Sequence, residues 1–287
     1  MAVYKRTYQG YDGRLTPAWS RFLIIARYAF QRLFDSKFLI AFFVASFVWP
    51  AICAVIIYFP HNSGAIALLH PSVREMIPID GRFFLRYMVW QGSLAFLLAA
   101  CVSPGLISTD LRNNALPLYL CRPFSRAEYV LGKMSVLAIL LSSITWVPGL
   151  LLFALEASLE GTAWLWANLW IATGIFLGSW IWILVLCLLG LALSAWVKWK
   201  LAAGALLFGV FFVAAGFGAA INNTMHTDSG SLINLVELIG AIWAGLFRVK
   251  ARTGISVESA WVMVIAICLC CLLLLARKVR AYEVVRS

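Results

Sequence analysis

Residues 106–134 read LISTDLRNNALPLYLCRPFSRAEYVLGKM. Six charged residues (Asp110, Arg112, Arg122, Arg126, Glu128 and Lys133) sit here between two long apolar runs, with Pro117, Pro123 and the pair Asn113–Asn114. Burying charges of this kind in hydrocarbon costs about 2.5–3.5 kcal/mol each, even on the most lenient insertion scale. The segment must therefore face water or protein. The apolar runs that flank it become two separate crossings of a bilayer, and the same reasoning extends to the rest of the chain.

The chain has 287 residues, of which 63% are hydrophobic and only 12% charged, against about 25% charged in a typical soluble domain. Mean hydropathy is +0.91. Six apolar runs can be drawn, at about 38–59, 87–108, 130–155, 169–197, 200–221 and 260–276. Each can cross a ~30 Å hydrocarbon core as a helix. Helix is required because lipid cannot satisfy free backbone groups. The expected fold is an all-α polytopic membrane protein with six transmembrane helices. It divides into a cytoplasmic N-terminus (1–37), a transmembrane domain (38–276) and a basic cytoplasmic tail (277–287). The fourth run is long enough to require tilt or protruding ends. Its GIFLG stretch spaces Gly174 and Gly178 four apart. That spacing suits close helix approach and is equally compatible with glycine as ordinary filler.

Lysine and arginine set the orientation. The N-terminal 37 residues, the 106–134 segment, Lys198, Lys200 and the tail hold seventeen of the basic residues, and the opposite side holds six. The richer side is expected to be cytoplasmic, with both termini inside. A 156–168 loop with Glu156, Glu160 and no basic residue agrees. The polar, basic N-terminus is too long and too charged for the n-region of a signal peptide, so the first span is expected to act as an uncleaved anchor.

Two further elements are expected. Residues 19–37 read WSRFLIIARYAFQRLFDSK. At helical spacing Phe22, Ala26, Ala29, Phe30 and Leu33 share one face, and Ser20, Arg21, Arg27, Gln31, Arg32 and Asp35 the other. This predicts an amphipathic interface helix on the cytoplasmic surface, with Arg21, Arg27, Arg32 and Asp35 turned to headgroups or to a protein partner. In 222–259, LINLVELIGAIWAGLF is apolar but short and contains Glu237. A seventh span would reverse the basic tail, so a short re-entrant hairpin before the sixth span is expected.

The spans hold essentially no ionisable residue. That disfavours a proton- or ion-coupled transporter, which places such groups near the midplane. No nucleophile–base pair or metal-ligand set stands out for an intramembrane hydrolase. His61, His70 and His226 are far apart and are not expected to share a metal, and the CLCC cluster at 268–271 has no histidine or carboxylate beside it. No catalytic or metal site is expected, and no cofactor bound by this chain. LGKM (131–134) is not a phosphate-binding loop: Met134 stands where Ser or Thr would meet magnesium, and Ala127 where the first glycine belongs. No nucleic-acid motif interleaves the basic residues.

The opening segment is not a linker in composition. Apolar and polar positions alternate, and Ser125 with Glu128 forms a capping-box signature for a new helix. Exposed apolar residues and charges in a short structured segment suit docking into a partner. They also suit a self-packed loop that braces spans two and three.

In sequence order, Asp110, Arg112, Leu116, Pro117, Tyr119, Arg122, Pro123, Ser125, Arg126, Tyr129, Gly132 and Lys133 resemble the segment between the second and third spans of ABC-2-type transporter permeases. That family has an acidic–basic pair, a proline and tyrosine, then RP-x-SR-x-x-Y-x-x-GK. The likeness is confined to this segment; elsewhere only the layout matches. It implies a type V-like exporter fold and a dimer with a second permease copy or paralogue. Each permease would dock on a separate ABC ATPase that binds ATP and magnesium. It implies that Asp110, Arg112, Pro117, Tyr119, Arg122, Pro123, Arg126, Glu128, Tyr129 and Lys133 form the ATPase-docking region, helped by the N-terminal helix. The expected function is the permease subunit of an exporter or flippase, not an enzyme in itself, with membrane lipids around it. The alternatives are a non-transporting scaffold of a cell-envelope complex that docks an ATPase, and an intramembrane enzyme. Pro50, Pro104 and Pro148 interrupt the first three spans, either as flex points or as tolerated membrane prolines.

Overall fold

The computed structural model describes residues 20–61, 78–113, 126–197, 199–251 and 254–278. Among these there are α-helices and short 3-10 turns and no strand. The α-helices are α1 (Arg21–Phe34), α2 (Lys37–Ala45), α3 (Val48–Tyr58), α4 (Gly81–Val102), α5 (Pro104–Arg112) and α6 (Arg126–Ile144). They continue with α7 (Trp146–Glu160), α8 (Thr162–Trp196), α9 (Lys200–Met225), α10 (Leu235–Leu246) and α11 (Val257–Lys278). Six helical stretches are long and apolar enough to cross a membrane: α2–α3, α4–α5, α6–α7, α8, α9 and α11. The architecture is that of a multi-pass membrane protein.

Spans two, three and four form the core. More than half of the apolar window of each is buried, against less than a quarter in spans one, five and six. The outer spans turn large side chains such as Val55, Phe212, Val213, Val262 and Leu273 outward, as lipid-facing helices do.

The first three spans are each broken. The breaks fall at Ser46–Phe47, Ser103 and Thr145, and each is followed within one turn by Pro50, Pro104 or Pro148. A proline has no N–H to give to the carbonyl four residues back, so Pro50 frees the carbonyl of Ser46 and Pro148 that of Ile144. In lipid neither could be hydrated. Both are met by one side chain. Gln91, at the middle of α4 and fully buried, donates from Nε2 to the Ser46 carbonyl (3.0 Å) and to the Ile144 carbonyl (2.5 Å). One turn away, the Tyr87 hydroxyl donates to the Thr145 carbonyl at 2.9 Å. Span two thus completes the backbone of spans one and three at the points where they break.

The structure corrects one expectation. No 156–168 loop exists: α7 runs to Glu160, α8 starts at Thr162, and Gly161 at φ 96° is the whole connection. The polarity of Glu156 and Glu160 imitated a loop, yet both lie on a continuing helix. Span two also starts earlier than the apolar run suggests. Asp80 caps α4 by accepting from the N–H groups of Arg82 (2.9 Å) and Phe83 (3.2 Å), so the helix carries Arg82 and Arg86 beyond the apolar stretch.

The short apolar helix α10 is not long enough to cross. It packs against span four at the GIFLG site. The Trp243 indole lies against Gly178, where a Cβ would meet it at 3.0 Å, and its Nε1 donates to the Gly178 carbonyl at 3.0 Å. Trp182 donates similarly to the Gly92 carbonyl at 2.9 Å. The glycine spacing therefore serves helix approach, although the partner is an indole on α10 and not another span.

Replacing Gln91 by leucine keeps the volume similar and orphans two carbonyls. We expect Gln91→Leu to lower the unfolding free energy by about 1–3 kcal/mol, the scale of two interhelical hydrogen bonds in membrane proteins. Thermal or denaturant unfolding of the purified chain in detergent checks this; an unchanged midpoint would remove Gln91 from this role.

Candidate functional site

At the end of the bundle where the 106–134 segment emerges, α5 leaves span two and α6 enters span three. Asp110 on α5 and Lys133 on α6 form an ion pair at 2.8 Å, with both side chains almost wholly buried. The Tyr129 hydroxyl, one turn before Lys133, donates to the same Asp110 oxygen (Oδ2) at 2.9 Å. The Lys133 ammonium also lies 5.7 Å from the Tyr129 ring centre. Tyr129 and Lys133 are four apart on α6, so they share a face and meet one carboxylate together. Three residues from two helices thus close the root of the segment.

The depth of this cluster is informative. Taking two charges out of water is costly and is repaid only by good geometry and additional hydrogen bonds. Here a tyrosine hydroxyl supplies one of those bonds. Once formed, such a pair is expensive to break. The ends of α5 and α6 therefore behave as one piece.

A second tie holds α5 from the other side. Ser194 on α8 accepts from the N–H groups of Ile107 (3.2 Å) and Ser108 (3.0 Å), and its hydroxyl donates to the Pro104 carbonyl at 2.9 Å. The N–H groups near the start of a helix have no partner within it; a serine from a neighbouring span meets that of Ile107 and also takes that of Ser108, the fifth residue of α5. Ser108 also bonds through its hydroxyl to the Pro104 carbonyl.

The N-terminal helix α1 lies against α6 beside this root. Ile25 and Ala26 are buried, Phe22, Ala29, Phe30 and Leu33 are half-buried, and Arg27, Gln31, Arg32 and Asp35 are exposed. The expected apolar face is thus the one that packs. The contact depends on Gly132, where a Cβ would stand 2.9 Å from the Phe22 carbonyl oxygen and 3.1 Å from the Ile25 Cβ. Glycine there lets α1 lie directly on the start of span three. Ile25, which fills the contact, stands three residues after Phe22 and four before Ala29 and so completes that same face.

Of the residues assigned to docking, Asp110, Tyr129 and Lys133 come together and are buried. Their place in the structure is that of a brace under the segment. Arg112, two residues beyond Asp110, is exposed, and Glu128 is partly exposed on the first turn of α6. The backbone of Arg126 opens α6, in keeping with a new helix start after Ser125. Pro117, Tyr119, Arg122, Pro123 and Ser125 lie outside the described residues, as does Cys121. Arg21 opens α1, with Arg27, Arg32 and Asp35 along its exposed side.

A separate polar cluster forms at the opposite end of the bundle. His61, in the 3-10 turn after α3, places Nε2 2.9 Å from Glu160 Oε1. Glu156, one turn earlier on α7, joins them. The sequence does not display this group, because His61 stands 95 and 99 residues from Glu156 and Glu160. His226 ends α9 with a left-handed backbone (φ 49°) and is exposed, and His70 lies outside the described residues. The one available signal was the Glu-x-x-x-Glu spacing, which the loop reading concealed.

No family model matches the chain. No curated protein matches it either.

The buried ion pair yields a specific expectation. Lys133→Met leaves Asp110 charged and uncompensated in the protein interior, at a cost of about 3–5 kcal/mol. Adding Asp110→Asn should restore much of that loss, because the amide still accepts from Tyr129. A double-mutant cycle on unfolding in detergent measures the coupling; strict additivity of the two changes would mean that the pair contributes nothing.

Proposed function

We propose that this chain is the permease subunit of an ABC-2-type transporter. In this reading it exports or flips its substrate using ATP hydrolysed by a separate ATPase subunit docked on the 106–134 segment. The observation that carries the reading is the brace beneath that segment. Asp110, Tyr129 and Lys133 fasten the helix ends on either side of a charged, water-facing stretch, and α1 lies against the same helix. A loop that merely links two spans needs no buried ion pair at its root. A loop that receives force from another protein does, because otherwise the push would splay the two helices apart.

In this reading residues 106–134 and the exposed side of α1 lie in the cytoplasm, with both termini, and the membrane is a bacterial inner membrane. Seventeen of the 23 basic residues fall on that side, which supports the orientation. Arg27 and Arg32 on α1, and Asp35 just after it, face the headgroups or the ATPase, and the exposed Leu23, Ile24 and Tyr28 suit an amphipathic interface helix. The re-entrant character of 222–256 is supported by two contacts. Asn222 Oδ1 accepts from the Gly230 N–H at 2.7 Å, folding the chain back along α9, and Trp243 reaches Gly178, halfway along α8. The transport path would lie between this chain and a second copy or paralogue. Chemistry on the nucleotide belongs to the ATPase, and this chain supplies a docking surface and moving helices.

Reversing two charges of the segment tests the reading. Arg122→Glu with Arg126→Glu should abolish co-purification of ATPase activity with the tagged chain from its native membrane. Thermal stability should stay at the wild-type value, because the brace is untouched. If the double variant retains the same associated ATPase activity and transport, the segment is not the docking site. A wild-type chain that moves or transforms a substrate in liposomes without any ATPase would overturn the permease reading as a whole.

A further inference from the structure

We infer that His61, Glu156 and Glu160 form a binding site for a divalent transition-metal cation of the zinc type, joining the end of span one to the end of span three. The inference is independent of the permease reading and concerns the opposite end of the bundle.

The histidine is oriented as a ligand. His61 Nδ1 lies 3.1 Å from the Ile57 carbonyl oxygen. A carbonyl can only accept, so Nδ1 carries the proton and donates. In the neutral ring Nε2 is then a lone pair, and it points at Glu160 Oε1 from 2.9 Å. Two acceptors facing each other at that distance require either a second proton on the ring or a metal cation between them. A backbone bond to one ring nitrogen that frees the other is also the usual second-shell arrangement of a metal-binding histidine.

Glu156 gives the independent observation. Its residue is only 3% exposed, and its Oε2 is buried without a hydrogen-bond partner. Among the described residues neither Glu156 nor Glu160 has a lysine or arginine within ion-pair distance. A buried carboxylate in that position is strongly unfavourable unless it takes up a proton or a cation compensates it. One ligand atom from each of the three residues lies within 4.8 Å of the others. Zinc–nitrogen and zinc–oxygen bonds near 2.0–2.2 Å separate neighbouring tetrahedral ligands by roughly 3.3 Å, so small side-chain movements close the set. Glu156 and Glu160 stand one turn apart on α7 and project from the same face, and His61 completes the triangle from span one.

The donor set selects the metal. One imidazole and two carboxylates, with water completing the shell, suit zinc and its transition-metal neighbours. An all-oxygen site would favour magnesium or calcium, and a thiolate site copper(I). None of the three ligands is a cysteine, which separates this site from the sulfur-rich stretch at 268–271.

Metal titration of the full-length chain in detergent tests the inference. After chelator treatment, wild type should bind one zinc per chain, and zinc should raise its unfolding temperature. Glu156→Gln, which preserves shape, and His61→Ala should each weaken binding by roughly tenfold or more and abolish the thermal shift, with unchanged gel-filtration behaviour. His226→Ala should bind as wild type does. Cobalt substituted for zinc should show no thiolate charge-transfer absorbance. Absence of stoichiometric binding at micromolar free zinc would mean that His61 and the glutamates form a proton-mediated pair only, and would overturn the inference. Undiminished binding in Glu156→Gln and His61→Ala, or a thiolate signature, would overturn it equally.

Discussion

Two carbonyls left open by prolines in an environment without water impose the strictest demand on this fold, and the Gln91 amide answers it. Ser46 and Ile144 belong to different spans, yet their freed carbonyls both reach one NH2 group on a third. An amide nitrogen has two protons and can serve both. A serine or threonine in its place could donate only once. The consequence is architectural: the breaks in spans one and three must lie at the depth of Gln91, on the sides of α4 from which its nitrogen can be reached. The register of three spans is fixed by one side chain.

The polar groups elsewhere are spent in the same way, on backbone and charge that hydrocarbon would leave unsatisfied. Ser194 caps the start of α5 across from span four. Trp182 and Trp243 send their indole N–H groups to glycine carbonyls, where no side chain blocks the approach. At the end of the bundle near residues 106–134 the buried ion pair replaces these neutral bonds. A membrane interior offers little hydrophobic gain for bringing helices together, so packing and such hydrogen bonds must supply the specificity. Spans two, three and four hold most of these bonds among themselves and with α10, which explains why they form the buried core while spans one, five and six remain at its edge.

The sequence made the spans legible because their apolar length is a direct response to the bilayer. It also displayed the packing face of α1, since 3.6-residue periodicity survives in Phe22, Ala26, Ala29, Phe30 and Leu33. The three prolines marked the broken spans. What could not be read was the complement of each feature at long range. Nothing local to Gln91 announces that it faces Pro50 and Pro148, and Ser194 looks like any small residue in an apolar run. The distances that matter at Asp110 and Lys133, or at His61 and Glu160, are between residues 23 and 99 apart in the chain. The loop expected at 156–168 is absent because polarity does not imply irregularity: α7 simply carries two glutamates on a face that meets span one. The candidate site was therefore legible as a set of residue types but not as an arrangement. Asp110, Tyr129 and Lys133 could be named from their pattern, whereas their burial, and with it their bracing role, appears only once the helices are in place.

The positions of the breaks decide how a push on the 106–134 segment would travel. In span two the break at Ser103 leaves α5 a nine-residue lever, about 13 Å long at 1.5 Å per residue. In span three the break at Thr145 leaves α6 nineteen residues, about 28 Å. The ion pair joins these unequal levers, near the end of α5 and two turns into α6. Force applied there would bend span two close to that end and span three deep in the bundle. Ser194 prevents α5 from moving alone, because α5 is capped by α8. The shorter lever would therefore pass its movement into span four, the longest and most buried helix, while the longer one delivers it beside Gln91, where span one is also broken. A push on one polar segment would in this way reach four spans through three polar contacts, and spans five and six, which pack on span four, would be carried along with it.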